Sequence, residues 1–372
     1  MYGDRIFNEG IYASVNYQLS DRTTLSAEGR LQSDSIENNY TLRGHDEFLA
    51  NSTDSFQPRV SITHNLTDSL TLYGQVAKGT NPAGVNIGYM DSEVIETIGL
   101  ANASGHVTYE FDTFRTFKEE ELTNFEIGLK GTTLDDRLSF TAALYALKWE
   151  NQTNIYTVNW DNTDPGGWNE AGVYSGFQVG QRTTLNEGSI ENKGIEFEGS
   201  YVLTDAWSLN GNFTVMDSEF TEFCDVLSAG GNWRLPADGV APVTGVSCVD
   251  MSGNTPPEIS TSSYAIGVAY AAPFGDSWNL RGRLDLRNNG PQWMDTANVM
   301  KIGERNLVNG SVTLSNDTMS ARFYVANLLD DDTPRHASIG THWGANGATS
   351  PRGLLWTPTR PREMGVELSY SF

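Results

Sequence analysis

LTDAWSLNGNFTV, Leu203 to Val215, decides the fold. Trp207, Leu209, Gly211, Phe213 and Val215 alternate with Ser208, Asn210, Asn212 and Thr214. That period of two belongs to a half-buried β-strand, and an α-helix of 3.6 residues per turn would scramble it. Before the strand stands an apolar residue, then a small polar one, then Asp205, which is the grammar of a tight turn. Asp, Asn and Ser fold the backbone there through local side-chain hydrogen bonds or by tolerating the left-handed region.

The same phrase recurs along the chain as LSDRTTL (Leu19 to Leu25), LTDSL (Leu66 to Leu70), LDDRL (Leu134 to Leu138), FGDSWNL (Phe274 to Leu280) and LSNDTM (Leu314 to Met319). Strands flank each copy. Ile11, Ala13, Val15, Tyr17 and Leu19 run into the first turn, and Leu25, Ala27, Gly29 and Leu31 leave it; Trp278, Leu280, Gly282, Leu284 and Leu286 leave the fifth. Between the hairpins lie segments of low apolar periodicity, read as long loops: Asp34 to Ser55, Thr80 to Thr116, Asn151 to Leu185, Phe220 to Pro257, Gly290 to Gly303 and Leu328 to Pro358.

Short turns thus alternate strictly with long loops. A soluble sandwich has no reason to sort its connections by length, whereas an outer-membrane barrel has short periplasmic turns and long extracellular loops. The strands read as about ten residues each, the length of a tilted bilayer crossing. The expected fold is therefore all-β, an antiparallel transmembrane barrel. Mean hydropathy is −0.39, which agrees with a barrel because lipid-facing and lumen-facing residues average out. Six hairpins and a last strand, Arg362 to Phe372, make about thirteen strands. Single-chain bacterial barrels have even numbers, and the start MYGDRIFNEG lacks the features of a secretory signal. Residues 1–372 are accordingly expected to be one partial barrel domain, without its N-terminal strands. An open barrel would leave two unpaired edges in lipid.

In the last strand Met364, Val366, Leu368, Tyr370 and Phe372 alternate with Glu363, Gly365, Glu367, Ser369 and Ser371. This resembles the C-terminal insertion signal of Gram-negative outer-membrane proteins, which pairs with the barrel assembly machinery. Four further stretches widen the resemblance: YGQVAKGTNPAGVN (Tyr73 to Asn86), EEELTNFEIGLKGTTLDDRLSFTAALY (Glu119 to Tyr145), IENKGIEFEGSYVLTDAWSL (Ile190 to Leu209) and VANLLDDD (Val325 to Asp332). In this order they resemble the barrel of the TonB-dependent receptors. The resemblance implies a barrel of about 22 strands closed by an N-terminal plug. It also implies coupling through that plug to TonB and the inner-membrane energy complex, and import of a scarce nutrient such as a ferric siderophore. The plug and energy-coupling box have no counterpart in the sequence.

The 47 acidic against 24 basic residues give a formal charge of −23, which disfavours nucleic acid as a partner. The excess acid reads as solvated surface, bridged by divalent cations among lipopolysaccharide headgroups. No cofactor fingerprint, nucleophile elbow or metal-ligand spacing occurs, and His336 with Ser338 reads as loop polarity. The chain is expected to be a transporter and not an enzyme. Cys224 and Cys248 flank a Gly/Pro-rich segment and could close one loop disulfide or stand unpaired.

Rings and cations crowd the long loops: Tyr156, Trp160, Trp168 and Tyr174 in one, Trp233 in the cysteine loop, and Arg335, His336, Trp343, Arg352 and Trp356 in the last. Such sets suit an aromatic, anionic ligand through stacking and cation–π contact, and equally a belt anchoring the barrel rim. Arg59, Arg281, Arg283, Arg287 and Arg322 fall on the lumen side of their strands. They either line a substrate path or bond the plug and wall acids such as Glu196 and Glu198. Two rival readings stand beside the receptor: a passive porin-like or phage- and bacteriocin-docking barrel, and a secreted carbohydrate-binding β-protein.

Overall fold

The computed structural model describes residues 2–42, 45–86, 115–161, 178–225, 249–341 and 352–372. Within them thirteen strands follow one another in sequence order through one antiparallel sheet. They are β1 Tyr2–Ser20, β2 Thr23–Leu42, β3 His45–Asn65, β4 Leu70–Asn81, β5 Glu120–Thr133, β6 Leu138–Asp161 and β7 Gln178–Val202. The rest are β8 Trp207–Asp225, β9 Ser262–Phe274, β10 Trp278–Asn289, β11 Arg305–Ser315, β12 Met319–Ala326 and β13 Glu363–Tyr370. Among the described residues no ladder joins β1 to β13.

All six short turns close one rim of the sheet, and their polar residues work as expected. Thr67 Oγ1 accepts the Leu70 N–H at 3.0 Å, Thr204 Oγ1 accepts the Trp207 N–H at 3.1 Å, and Asn316 Oδ1 accepts the Met319 N–H at 2.7 Å. In the LDDR turn Leu134, Asp135 and Asp136 all sit in the left-handed region, at φ 56°, 55° and 61°.

The ladder register aligns the apolar positions into rows. One runs through eight strands as Tyr17, Leu25, Ile62, Gly74, Ile127, Leu144, Ile195 and Val215, each directly opposite the next. Another continues as Leu209, Val268, Leu284, Gly310, Val325 and Met364. These rows face outward, and most of their large apolar side chains stay exposed: Ile127 is 52% and Leu144 53% accessible. Fully buried apolar residues among those described are few, namely Leu49, Ala83, Ile190, Phe220, Phe223, Met251, Ile302 and Ala337. A soluble protein of this length does not leave its apolar face in water; lipid covers it here. Moving such a side chain out of water is worth roughly 1.5–3 kcal/mol.

Both limits of the bilayer are marked. Towards the short turns the outward face carries rings, with Trp207 opposite Tyr270 and Phe274 opposite Trp278, an interfacial girdle. Towards the other rim the apolar rows stop at charge: Ala146 is opposite Lys193, Lys148 opposite Glu191, and Lys193 opposite Asp217. Lys148 pairs with Glu150 at 2.7 Å and Lys193 with Glu191 at 2.8 Å.

The opposite, lumen face is polar, and two glycines there allow close packing. Gly128 lies directly opposite Tyr73 and Gly194 opposite Tyr145. A Cβ on either would come within 2.5 Å of the facing tyrosine, so each ring lies over bare backbone.

Strand length departs from the sequence expectation. β4, β10 and β11 stay near ten residues, with 12, 12 and 11, but others run far past it: β6 has 24 and β7 has 25. Asp34 to Ser55, expected to be a loop, continues the β2–β3 ladder from Asp34 opposite Thr53 up to Leu42 opposite His45. Part of Asn151 to Leu185 likewise belongs to β6 and β7, which pair as far as Asp161 opposite Gln178. Beyond the bilayer neither face meets lipid, so alternation lapses while the backbone ladder goes on.

Candidate functional site

Part of the candidate set lies at the long-loop rim of the lumen. Here the chain folds onto the polar face in two places. On the β6–β8 side Ile190, Phe220, Phe223 and Met251 form a buried apolar cluster, joined by Trp149, Val249 and Ala297. The rings of Phe220 and Phe223 stack at 4.4 Å. Backbone bonds from Gly253 N to Phe220 O and from Met251 N to Phe223 O, 2.8 and 2.9 Å, hold the segment after Val249 in place. The sequence showed this region only as part of a loop.

On the β10–β13 side the NLLDDD segment ties three strands together. Asp331 Oδ2 accepts the Asn306 N–H at 2.6 Å and Oδ1 accepts the Thr333 N–H at 2.8 Å. Asn327 donates from Nδ2 to the carbonyls of Asp331 and Arg360, at 3.0 and 2.9 Å. The Arg362 N–H reaches Asp330 Oδ1 at 2.8 Å. Burial pushes the Asp331 carboxyl up, but the N–H and hydroxyl donors of Asn306 and Thr333 and the nearby Arg305 outweigh it and hold it below the usual carboxylate range.

Of the predicted ring and cation set, the structure brings three onto one ribbon and a fourth to its edge. His336–Thr341 pairs with Arg352–Thr357, so Trp356 lies opposite Ala337 and Arg352 opposite Thr341, with Arg335 immediately before the ribbon. His336 Nδ1 is 3.0 Å from Glu258 Oε1. Tyr156 and Trp160 lie on a different ribbon, opposite Thr183 and Val179 at the far ends of β6 and β7. Trp168, Tyr174, Trp233, Trp343 and Cys248 lie outside the described residues. Cys224 sits on β8 opposite Asp250.

By register the lumen set, Arg59, Glu196, Glu198, Arg281, Arg283, Arg287 and Arg322, shares the polar face. Its contacts are local ones. Arg59 donates to Gln75 Oε1 at 2.9 and 3.2 Å, Arg283 pairs with Asp285 at 2.6 Å, and Arg322 with Glu367 at 3.0 Å. Glu196 and Glu198 stand on β7, away from these arginines. Met364, Val366, Leu368 and Tyr370 form the outward row of β13, and Phe372 follows it fully exposed. Arg305, at the head of β11 beside Asp331, escaped the sequence reading; nothing in its spacing marks it.

A wall with an apolar outer face, a polar inner face and all its short turns on one rim is the geometry of an outer-membrane barrel. The family model "TonB dependent receptor-like, beta-barrel" matches residues 2–328. The chain belongs to the TonB-dependent receptor family. That places the receptor chain in the outer membrane of Gram-negative bacteria, and among receptors rather than enzymes. The chain is 25% identical over 328 residues to the pesticin receptor of Yersinia pestis, a match covering 86% of this chain and 38% of that protein. It is 26% identical over 172 residues to a probable TonB-dependent siderophore receptor, PiuA, of Acinetobacter baumannii, covering 46% of this chain and 18% of that one. Among solved structures it is similar to the ferric yersiniabactin uptake receptor FyuA of Yersinia pestis. The TM-score there is 0.66 and the identity 18%, over 100% of this chain and 46% of that chain. The receptor chain thus spans less than half the length of these relatives.

Proposed function

We propose that the chain forms part of a receptor that captures a scarce nutrient, a ferric siderophore above all, and imports it with energy delivered through TonB. In this reading residues 1–372 are one part of the barrel domain. The plug that contacts TonB and the inner-membrane energy complex lies in a preceding segment. The carrying observation is the family match across residues 2–328, on a sheet with one apolar and one polar face. The names of the relatives support iron as cargo, since a siderophore receptor and a ferric yersiniabactin uptake receptor are among them. The rings and cations singled out in the sequence, Tyr156, Trp160, Trp343 and Trp356 with Arg335, His336 and Arg352, would hold the chelate by stacking and charge. The outward row ending in Phe372 would be read by the assembly machinery, and the charged band at Lys148 and Lys193 would meet lipopolysaccharide.

The test is uptake of radiolabelled ferric chelate by cells carrying the intact receptor. Uptake is expected to stop when the proton-motive force is collapsed; continued uptake identifies a passive pore. Trp160→Ala and Trp343→Ala are expected to weaken chelate binding, and unchanged affinity in both removes the rings from the ligand site. A second reading, docking of a bacteriocin, is favoured by the likeness to the pesticin receptor, and killing assays with the same cells address it.

A further inference from the structure

The lipid-facing rows contain glycines, and the chain covers some of them with its own rings. A Cβ added to Gly29 would meet the Phe56 ring at 3.0 Å, and one on Gly199 the Phe197 ring at 3.1 Å. Gly74 is left open. The nearest atoms to a Cβ there would be the Glu126 carbonyl oxygen at 3.7 Å and Ile62 Cγ2 at 3.9 Å. Bare backbone therefore lies between Ile62 on β3 and Ile127 on β5, its two ladder neighbours. Around it Val60, Ile62, Val76, Phe125, Ile127 and Leu144 line an apolar groove of about 670 Å³ across β3 to β6. That volume falls within the roughly 300–1,000 Å³ of ligand clefts.

Towards the long-loop rim the groove ends at Ala146, which lies opposite Lys193 and two residues below Lys148. Lys78 likewise stands two residues above Val76. These lysines form an arc over the end of the groove, and each is already partnered. Lys78 pairs with Glu121 at 2.8 Å, Lys148 with Glu150 at 2.7 Å and Lys193 with Glu191 at 2.8 Å. Asp217, opposite Lys193, and Glu219, opposite Glu191, add acid to the same band. A headgroup with one phosphate meets no spare cation in it. A headgroup with several phosphates, and the divalent cations that bridge them, brings both signs of charge and complements a band of both signs.

We propose that the groove over Gly74 seats one acyl chain of a phosphate-bearing glycolipid of the outer leaflet, whose headgroup rests on the band of lysines and carboxylates. A gap in the wall left unfilled forfeits the dispersion contacts of its lining, and a flexible acyl chain is the apolar body that the bilayer supplies. The inference rests on the reading that the charged band meets lipopolysaccharide. It deepens that reading by assigning a fixed seat on the outer wall, on the opposite face of the sheet from the cargo path.

The test is lipid retention. Intact receptor is delipidated in detergent, incubated with short-chain lipopolysaccharide or with phosphatidylglycerol vesicles, and weighed by native mass spectrometry. The parent is expected to retain lipopolysaccharide and not phosphatidylglycerol; the opposite preference overturns the proposal. Gly74→Leu, whose Cβ has room, fills the floor of the groove and is expected to lower retention about tenfold or more. Gly282→Leu, in an outward row of β10 where an added Cβ comes no nearer than 3.9 Å to Tyr270 Cβ, leaves it unchanged. Equal loss in both variants marks a general lipid surface and overturns the seat. Should Gly74→Leu fail to give the heat-modifiable folded form, Ala146→Leu, which narrows the same groove from β6, carries the test. Unchanged retention in a folded groove variant overturns the proposal. If Lys148→Gln loses lipopolysaccharide while Gly74→Leu keeps it, the seat is refuted and the charged band's contact with lipopolysaccharide stands; the reverse result supports the seat and removes the band from the headgroup.

Discussion

β6 obeys one rule from Leu138 to Ala146 and another from Lys148 to Asp161. In the first part Leu138, Phe140, Ala142, Leu144 and Ala146 all turn outward, and each apolar position has an apolar or glycine neighbour on at least one side. In the second the ladder to β7 continues, through register shifts between Trp149 and Thr153, with no apolar alternation to guide it. The backbone hydrogen bonds are of one kind throughout. What changes is the solvent: lipid enforces a side-chain pattern that water does not. Strand formation and membrane insertion are therefore separable properties of the same strand.

An arginine placed in the lower region tests that separation most severely. Ile127→Arg, within the apolar rows, is expected to cost about 2–4 kcal/mol and to abolish heat-modifiable migration of the intact receptor, whereas Asn124→Arg on the lumen face of the same strand folds normally. Equal tolerance of both would erase the distinction between faces. A middle-sized effect is expected at the mouth. Asp331→Ala, which frees the N–H groups of Asn306 and Thr333, should cost about 1–3 kcal/mol, read as earlier proteolysis of the last long loop. Because the folded Asp331 carboxyl titrates below its unfolded value, its stabilisation is fully present above the unfolded pKa. It is lost as pH falls through the depressed one, so parent and variant should converge in acid. The smallest effect belongs to the ribbons. Phe48→Ser, on the exposed β3 extension, is expected to stay within about 0.5 kcal/mol in the same gel assay, and a loss like that of Ile127→Arg would extend the lipid rule above Ala146.

The same contrast explains what the sequence revealed. The turns around Asp205 and Asp68 and the alternation of Trp207 to Val215 were legible because each is written in side chains by a local requirement: an acceptor for a turn N–H, or an apolar surface for lipid. The ladder between Asp34 and Ser55 was not, since backbone pairing in water needs no particular residue. Phe220, Phe223 and Met251 looked like loop residues because their cluster joins segments far apart in the chain. Arg305 meets Asp331 only because the fold brings β11 against the NLLDDD segment, and that meeting has no spacing in the sequence. The ring and cation set was found as composition; that His336, Arg352 and Trp356 share one ribbon, with Arg335 at its edge, while Tyr156 and Trp160 share another followed only from the register.

The length of β6 has a consequence for what the cell shows its surroundings. At about 3.3 Å per residue a strand of this kind runs roughly 80 Å, and its 24 residues are more than twice the nine to eleven or so that a tilted crossing takes. The paired ends of β6 and β7 therefore stand as a mast well clear of the lipid surface, and a large particle approaching from outside reaches them before it reaches the wall. Free of the lipid rule, their residues can be exchanged without disturbing the register of the barrel beneath.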